Sequence, residues 1–279
     1  PGQWPAVEID LAWLFVLPML FALGWITARY DLTQQRRETR RVSRDVLNGL
    51  SDVLANDLES ATEALLSAAR LAPDATELHR SVGNLYRRRG LIDRAIEVHE
   101  GALKHPELSV EDEARLRLDL GRDYLAAGLF DRAGEAFVKV SGTAPDTANQ
   151  ARALLLQTAQ RTRDWESAIR WAQALHNHGG SFGDHSYVQL MGHFYCEQAE
   201  LALRAGQQEQ AQALLIKAES FSAPGPQKRV AQIRAKLSGA FATDTPLAVT
   251  PSSCRVCGFR SRQTHWQCPG CHHWDSFLE

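Results

Sequence analysis

The sequence predicts an all-α protein in three parts: a helix that crosses a membrane, an array of helical hairpins and a small metal-binding module. Three observations predict this order: an uncharged apolar stretch near the start, a Gly–Ala pattern that recurs through the middle, and two Cys-x-x-Cys pairs near the end. Ala, Leu, Arg, Glu and Gln dominate the composition, which favours helices. We expect an anchor at 1–30, the hairpins at 31–222, a helix and linker at 223–252, and the metal module at 253–279.

The apolar stretch covers residues 11–28, LAWLFVLPMLFALGWITA, and carries no charge. As a helix it would span roughly 27 Å, close to the hydrocarbon thickness of a bilayer. Trp13 and Trp25 lie towards its two ends, where amphipathic rings favour the membrane interface. The alternative is a buried core helix. A cleaved signal peptide fits poorly, because no Lys or Arg precedes the apolar run.

Positive charge follows the apolar stretch instead of preceding it. By the positive-inside rule, this flank stays in the cytoplasm, and the N-terminus points to the other side of the membrane. A cytoplasmic location for the rest of the chain agrees with reduced, metal-binding cysteines. The arginines of this flank are Arg29, Arg36, Arg37, Arg40, Arg41 and Arg44.

The middle of the chain repeats a glycine that is followed twelve residues later by an alanine. The pairs are Gly49/Ala61, Gly83/Ala95 and Gly121/Ala133, so the glycines are 34 and then 38 residues apart. A period of 34 is that of the tetratricopeptide repeat, whose unit is a hairpin of two helices, A and B. We expect the Gly and Ala where the two helices approach closely, because a larger side chain would force them apart.

A second pattern, a turn residue five positions before an alanine, marks the turns between helices A and B. It occurs with glycine at Gly90, Gly128 and Gly206, and with less suitable residues at Asn56 and Arg163. We therefore count about five hairpins, the last two degenerate, with a loop at 176–183. A generic helical bundle is the alternative.

After the hairpins the pattern changes. The sequence Ala-Pro-Gly-Pro at 223–226 predicts a break, residues 227–237 one further helix, and residues 243–253 a linker. Such a linker would let the metal module either swing freely or dock on the repeats.

The C-terminal cysteines Cys254, Cys257, Cys268 and Cys271 form two Cys-x-x-Cys pairs that are ten residues apart. Two facing thiolate pairs can supply a closed tetrahedral site, which suits zinc or a single iron. The segment is too short to bury a core, so the bound metal would provide its folding energy. The alternative is a pair of disulfides in a secreted tail. The fifth cysteine, Cys196, is interpreted as a small buried helical residue.

No motif in the sequence indicates catalysis. Phosphate-binding glycine loops, His-Glu-x-x-His and Gly-x-Ser-x-Gly are missing from it. A net charge of only −2 gives no support for binding to nucleic acid. The remaining histidines show no spacing typical of metal ligands. We expect His79, His99, His105 and His193 to be surface or packing residues. His272 and His273, directly after the last cysteine, are expected to be exposed, and the alternative is that they orient the metal ligands.

The three parts, in this order, resemble the lipopolysaccharide assembly protein B family of Gram-negative bacteria. The amino-acid sequences of several segments are also similar to that family. These are 83–99 (GNLYRRRGLIDRAIEVH), 120–133 (LGRDYLAAGLFDRA), 193–197 (HFYCE) and the cysteine segment 254–274. The resemblance covers nearly the whole chain.

The resemblance implies a tetratricopeptide-repeat solenoid behind a single transmembrane helix, in the cell inner membrane, with a periplasmic N-terminus. It implies a regulator without catalysis that couples the lipid A deacetylase LpxC to the membrane protease FtsH, alongside other lipopolysaccharide-assembly proteins. It also implies that Cys254, Cys257, Cys268 and Cys271 hold one metal ion, iron or zinc, in a rubredoxin-like or zinc-ribbon module.

Two departures from the family pattern bear on function. The repeat array ends near Ser222 and is shorter than in better-known members, so partner contacts of later repeats would be lost or rearranged. Cys271 is followed by His272 instead of glycine, and the ten-residue gap is short for an electron carrier, which favours a structural metal. A membrane-bound rubredoxin-like redox protein and a chaperone-like repeat scaffold are the alternatives.

Overall fold

The computed structural model describes residues 19–26, 29, 44–49, 51–53, 55, 57–72, 74–140, 145–221, 223–238, 252–262 and 265–277. The chain divides into two compact units, residues 1–140 and 141–279. The first contains α1 (Leu58–Leu71), α2 (Thr76–Arg88), α3 (Ile92–Ala102), α4 (Val110–Ala126) and α5 (Phe130–Val140). The second contains α6 (Pro145–Thr162), α7 (Trp165–Asn177), α8 (Tyr187–Arg204), α9 (Gln208–Glu219), α10 (Pro224–Leu237), β1 (Ser252–Ser253) and β2 (Arg260–Ser261).

The helices of the first unit form tetratricopeptide-like hairpins. Helix α2 packs on α3 and α4 packs on α5, which gives two hairpins. Successive hairpins then join, because α1 packs on α2, α3 packs on α4, and the two A helices α2 and α4 touch. This confirms the predicted helical-repeat class for the described part of the unit.

The turns between helices A and B share one conformation. Gly90, Gly128 and Gly206 have φ of 78°, 76° and 77°, the left-handed region in which a side chain is strained. Arg163 takes the same region with φ 57°. In each turn the next N–H donates to the carbonyl five residues earlier, as from Leu91 to Tyr86 at 2.9 Å. The degenerate fourth hairpin therefore keeps the turn despite its unfavourable residue.

The repeated glycines make room for one side chain of the following helix. A Cβ built on Gly83 would lie 2.4 Å from His99 Nε2, and one built on Gly121 would lie 2.4 Å from Phe137 Cε1. The helices approach closely at these glycines, as predicted, and the residue that needs the space comes four positions after the alanine. The relation holds for three pairs: Gly49–Leu65, Gly83–His99 and Gly121–Phe137. The alanines Ala61, Ala95 and Ala133 are fully buried.

The second unit has two further hairpins, α6 with α7 and α8 with α9, and α7 packs on α8. Its core includes Trp165, Leu175, Met191 and Phe194. Helix α7 ends at Asn177, and a loop follows close to the predicted position. Helix α10 packs on both α8 and α9.

The break predicted at 223–226 is wrong, because α10 already begins at Pro224. Proline is compatible with the first turn of a helix, where its missing N–H would have no intrahelical partner. Gly225 and Pro226 are therefore helical and buried.

Among the residues described, the structure contains no helix with both the length and the apolar character needed to cross a bilayer. Most of the predicted span 11–28 lies outside those residues, since only 19–26 are described, and these are helical. Residues 239–251, which include most of the predicted linker, also lie outside them.

Candidate metal centre

The four predicted ligands lie together at the C-terminal end of the second unit. Their Sγ atoms are all within 4.8 Å of one another. Cys254 and Cys271 are 3.6 Å apart at sulfur, as are Cys257 and Cys268. A tetrahedral ion with metal–sulfur bonds of about 2.3 Å separates its sulfurs by about 3.8 Å. The four thiols therefore fit one metal ion, and all five cysteines of the chain are free of disulfides.

Each Cys-x-x-Cys pair forms a tight turn around its first sulfur. The N–H of Val256 points at Cys254 Sγ and that of Gly270 at Cys268 Sγ, both at 3.4 Å. Hydrogen bonds of this kind stabilise a thiolate, which is the form of cysteine that binds a metal ion. The two pairs thus contribute equivalent halves of the site.

The residue after each pair closes the turn in the left-handed conformation. Gly258 has φ 74° and His272 has φ 60°. Their N–H groups donate to the carbonyls of Cys254 and Cys268, both at 2.9 Å. The departure from the family pattern at His272 therefore keeps the geometry, with a strain of about 1–2 kcal/mol from its Cβ.

The rest of the module is small. Strands β1 and β2 pair antiparallel, with Ser252 opposite Ser261 and Ser253 opposite Arg260. A single bridge joins Gln267 and Trp274. Phe277 packs against the sulfurs and is buried. We call residues 252–277 the ribbon.

Two of the thiols, Cys254 and Cys271, have pKa values shifted in opposite directions. Burial raises the pKa of Cys254, but hydrogen bonds from Ser276 and from backbone N–H groups outweigh burial and lower that pKa to about 5. Burial, together with the other three sulfurs, raises the pKa of Cys271 to about 12. Four adjacent thiolates repel one another, so complete ionisation needs a cation between them.

The donor set contains sulfur alone, which suits zinc or a single iron. Four protein ligands fill a tetrahedral shell, and a catalytic metal needs an open position for water or substrate. The site therefore forms a closed, zinc-ribbon or rubredoxin-like metal centre.

The ribbon docks on the helices of its own unit. The Trp274 side chain is buried and stacks on His193, with 4.7 Å between ring centroids. Its indole N–H donates to Gln160 Oε1 at 3.1 Å. Asp275 accepts hydrogen bonds from Gln189 at 2.6 Å and from His193 Nε2 at 2.9 Å. The linker was predicted to let the metal module either swing freely or dock on the repeats, and in the structure the module is docked.

His99 and His193 are packing residues, one of the two roles predicted for them. His193 and His99 are fully buried with carboxylate partners, and neither partner is near in sequence. His273 is only partly exposed and lies 4.5 Å from the His185 ring. His272 is exposed, as predicted. Cys196 is fully buried in α8, as predicted, and burial raises the pKa of its thiol to about 12.

The chain has relatives among known proteins. Residues 253–279 match the family model Zn_ribbon_LapB, described as a rubredoxin metal binding domain. Lipopolysaccharide assembly protein B of Escherichia coli strain K12 is 34% identical over 203 residues, 72% of this chain and 51% of that protein. The Haemophilus influenzae protein of the same name is 28% identical over 176 residues, 60% of this chain and 44% of that one. The chain thus spans about half the length of these curated relatives.

Among solved structures, YrrB, described as a tetratricopeptide-repeat protein with an unusual peptide-binding site, aligns with a TM-score of 0.47 and 16% identity. The alignment covers 73% of this chain and 97% of that one.

Proposed function

We propose that this chain, which belongs to the lipopolysaccharide assembly protein B family, is a non-catalytic adaptor in lipopolysaccharide assembly. Its helical hairpins bind protein partners, and its metal has a structural role. The observation that carries the proposal is the docked ribbon: four sulfurs close the metal site, and Trp274 joins the helical core. A metal in this position stabilises a protein surface and has no position open for a reactant.

The described residues contain no second group that could hold a metal, since the four cysteines are the one cluster of metal-binding side chains among them. Cys196 is fully buried, and its pKa is raised, so it is no nucleophile. These features support a scaffold over an enzyme.

For location, we propose a single membrane span at the N-terminus, in the cell inner membrane, with the N-terminus in the periplasm. The described part of the apolar stretch supports this. Residues 19–26 are helical, and large apolar side chains there are exposed, with Met19 at 66%, Phe21 at 76% and Ile26 at 56%. Lipid is the solvent that suits such a helix. Protease protection in sealed inner-membrane vesicles tests the orientation, and digestion of the N-terminus from the cytoplasmic side would contradict it.

For partners, we propose that the chain couples the deacetylase LpxC to proteolysis by FtsH and so limits lipopolysaccharide production. Support comes from the resemblance to the family and from the repeats, because stacked helical hairpins present extended surfaces for proteins. The test is the half-life of LpxC in cells depleted of this protein, which should lengthen. Complementation with Cys257→Ser should fail to restore it. An unchanged half-life on depletion would refute this coupling.

The alternative, a membrane-bound rubredoxin-like redox protein, requires that the site hold iron that can change its oxidation state. An iron-loaded sample would have to show a reversible one-electron titration. Binding of zinc alone would exclude it.

A further inference from the structure

The contact between the ribbon and the helices includes two consecutive residues, Trp274 and Asp275, which we call the docking pair. Trp274 packs edge-on against Trp165 and Phe194, with ring centroids 6.1 Å and 5.9 Å away. Asp275 has φ 54° and directs a side chain that is only 9% exposed towards helices α8 and α10. The pair thus adds an indole to the core and a carboxylate to a buried polar site.

The second Cys-x-x-Cys turn, at Cys268–Cys271, fixes the position of the docking pair. Trp274 and Asp275 come three and four residues after Cys271. Between them and the metal site the backbone is held by hydrogen bonds from Cys268 N–H to the His273 carbonyl and from Asp275 N–H to the Trp266 carbonyl, both 2.8 Å. Strands of two residues cannot hold this geometry alone, so the docking pair depends on the metal.

On α10, the missing side chain of Gly225 leaves space for the carboxylate of Asp275. A Cβ built on Gly225 would lie 2.3 Å from Asp275 Oδ2 and 2.6 Å from its Cγ, so any side chain would displace the aspartate. Gly225 is the second residue of α10, whose N-cap, Ala223, makes no side-chain hydrogen bond. A carboxylate at the positive end of the helix dipole is favourable, which adds to the contact.

Helix α8 supplies the hydrogen-bond donors. Burial lowers the pKa of His193, so the ring is neutral at neutral pH and donates its Nε2–H to Asp275. Gln189, one turn earlier on α8, donates its amide to the same oxygen. Asp275 Oδ1 has no hydrogen-bond partner within the described part of the chain. The anchoring of the carboxylate therefore relies on two donors and one glycine.

We propose that Gly225, His193 and Gln189 are positioning residues of the metal site: they increase metal affinity through the docking pair, although none of them is a ligand. Metal binding requires the folded ribbon, and docking stabilises the folded ribbon, so the two equilibria are linked. Linkage is reciprocal. Metal loss must therefore weaken the docking of the ribbon on α8 and α10 by the same free energy that docking adds to metal binding. The inference rests on the structural role proposed for the metal and is independent of which partners the repeats bind.

The test is the affinity of the full-length chain for Zn²⁺, measured by competition with a chromogenic chelator. Gly225→Ala should weaken binding by about 10- to 100-fold, the range for groups that orient metal ligands. Gly134→Ala is the matched control, because Gly134 is also helical and a Cβ built there meets nothing within 4 Å. Gln189→Ala removes one hydrogen bond with less effect on folding, and we expect about a 10-fold loss. Wild-type affinity in both Gly225→Ala and Gln189→Ala would overturn the proposal.

The reciprocal effect is read from amide hydrogen exchange of the wild-type chain with Zn²⁺ bound and after chelation. Exchange should accelerate in α8 and α10 but stay unchanged in α2 and α4 of the other unit. Equal exchange in α8 and α10 in both states would contradict the linkage. Neither experiment involves LpxC, so an unchanged LpxC half-life would refute the proposed coupling without affecting this inference.

Discussion

The His99 imidazole and the Asp123 carboxylate lie 2.5 Å apart, from Nδ1 to Oδ2, and both side chains are fully buried. Arg87 Nη1 contacts the other oxygen of the same carboxylate. One aspartate on α4 therefore joins α2 and α3. His99 stands in the repeat where the next hairpin has Phe137, so a polar ring has entered a position that is otherwise apolar. A buried polar ring needs a partner, and Asp123 provides it.

Removing this carboxylate should destabilise the first unit strongly. Asp123→Ala leaves His99 and Arg87 without their shared acceptor, and loss of one partner of a buried ion pair costs about 3–5 kcal/mol. The measurement is the midpoint of urea unfolding. Asp131→Ala, at an exposed position in the first turn of α5, should change stability by less than about 1 kcal/mol. Equal effects of the two substitutions would show that the buried network contributes nothing.

The inter-helix glycines give a second test. In Gly121→Ala the new methyl group would meet the Phe137 ring at 2.4 Å, and such overpacking costs about 1–3 kcal/mol. Gly134→Ala, in the interior of α5 with open space around it, should stabilise by about 0.5–1 kcal/mol. Thermal denaturation compares the two. Our interpretation requires shifts of opposite sign.

The helices and the metal ligands could be predicted from the sequence because their signals are local. The 34-residue step places one glycine and one alanine in a hairpin, such as Gly83 and Ala95. A Cys-x-x-Cys turn such as Cys254–Cys257 carries its own geometry. A histidine after Cys271 did not prevent the second turn, since its backbone reaches the left-handed region at modest cost.

Contacts distant in sequence could not be predicted in this way. His193 and Asp275 are 82 residues apart, and the family-like segment that begins at His193 does not indicate its partner. The docking pair has its role only because Gly225 leaves space on α10, and Pro-Gly-Pro around that glycine indicated a break. The true neighbours of the repeated glycines were missed for a related reason. A spacing shows that helices approach closely without showing which side chain fills the gap.

Loss of one ligand should empty the metal site. In Cys257→Ser three thiolates remain, and three ligands cannot close the tetrahedron or hold the ribbon folded. Metal content, by mass spectrometry of the purified chain, should fall from one ion per chain to well below one. Cys196→Ala lies outside the site and should keep the metal. Full occupancy in Cys257→Ser would contradict the assignment of the ligands.

Acidification should destabilise the second unit through His193. Burial lowers the pKa of His193 below its ordinary 6.5, although the neighbouring Asp275 opposes the shift. As the pH falls below 6.5, the unfolded chain binds a proton at this residue before the folded chain does. The free energy of unfolding therefore decreases in that window and is independent of this group at higher pH. Burial alone would raise the pKa of Asp275, but hydrogen bonds from His193 and Gln189 lower it, so the carboxylate stays ionised.

The measurement is the melting temperature at about pH 7.5 and about pH 5.5 for the wild type and for His193→Gln. The variant should lose less on acidification, because glutamine can donate to Asp275 but does not titrate. Both proteins are measured with excess Zn²⁺, because His193 is also a proposed positioning residue of the metal site and its replacement changes metal affinity. His185, whose pKa burial and His273 also lower, remains in the variant and preserves part of the slope. Identical slopes in the two proteins would mean that the buried imidazole does not control the acid response, and His185 would then be the group to replace.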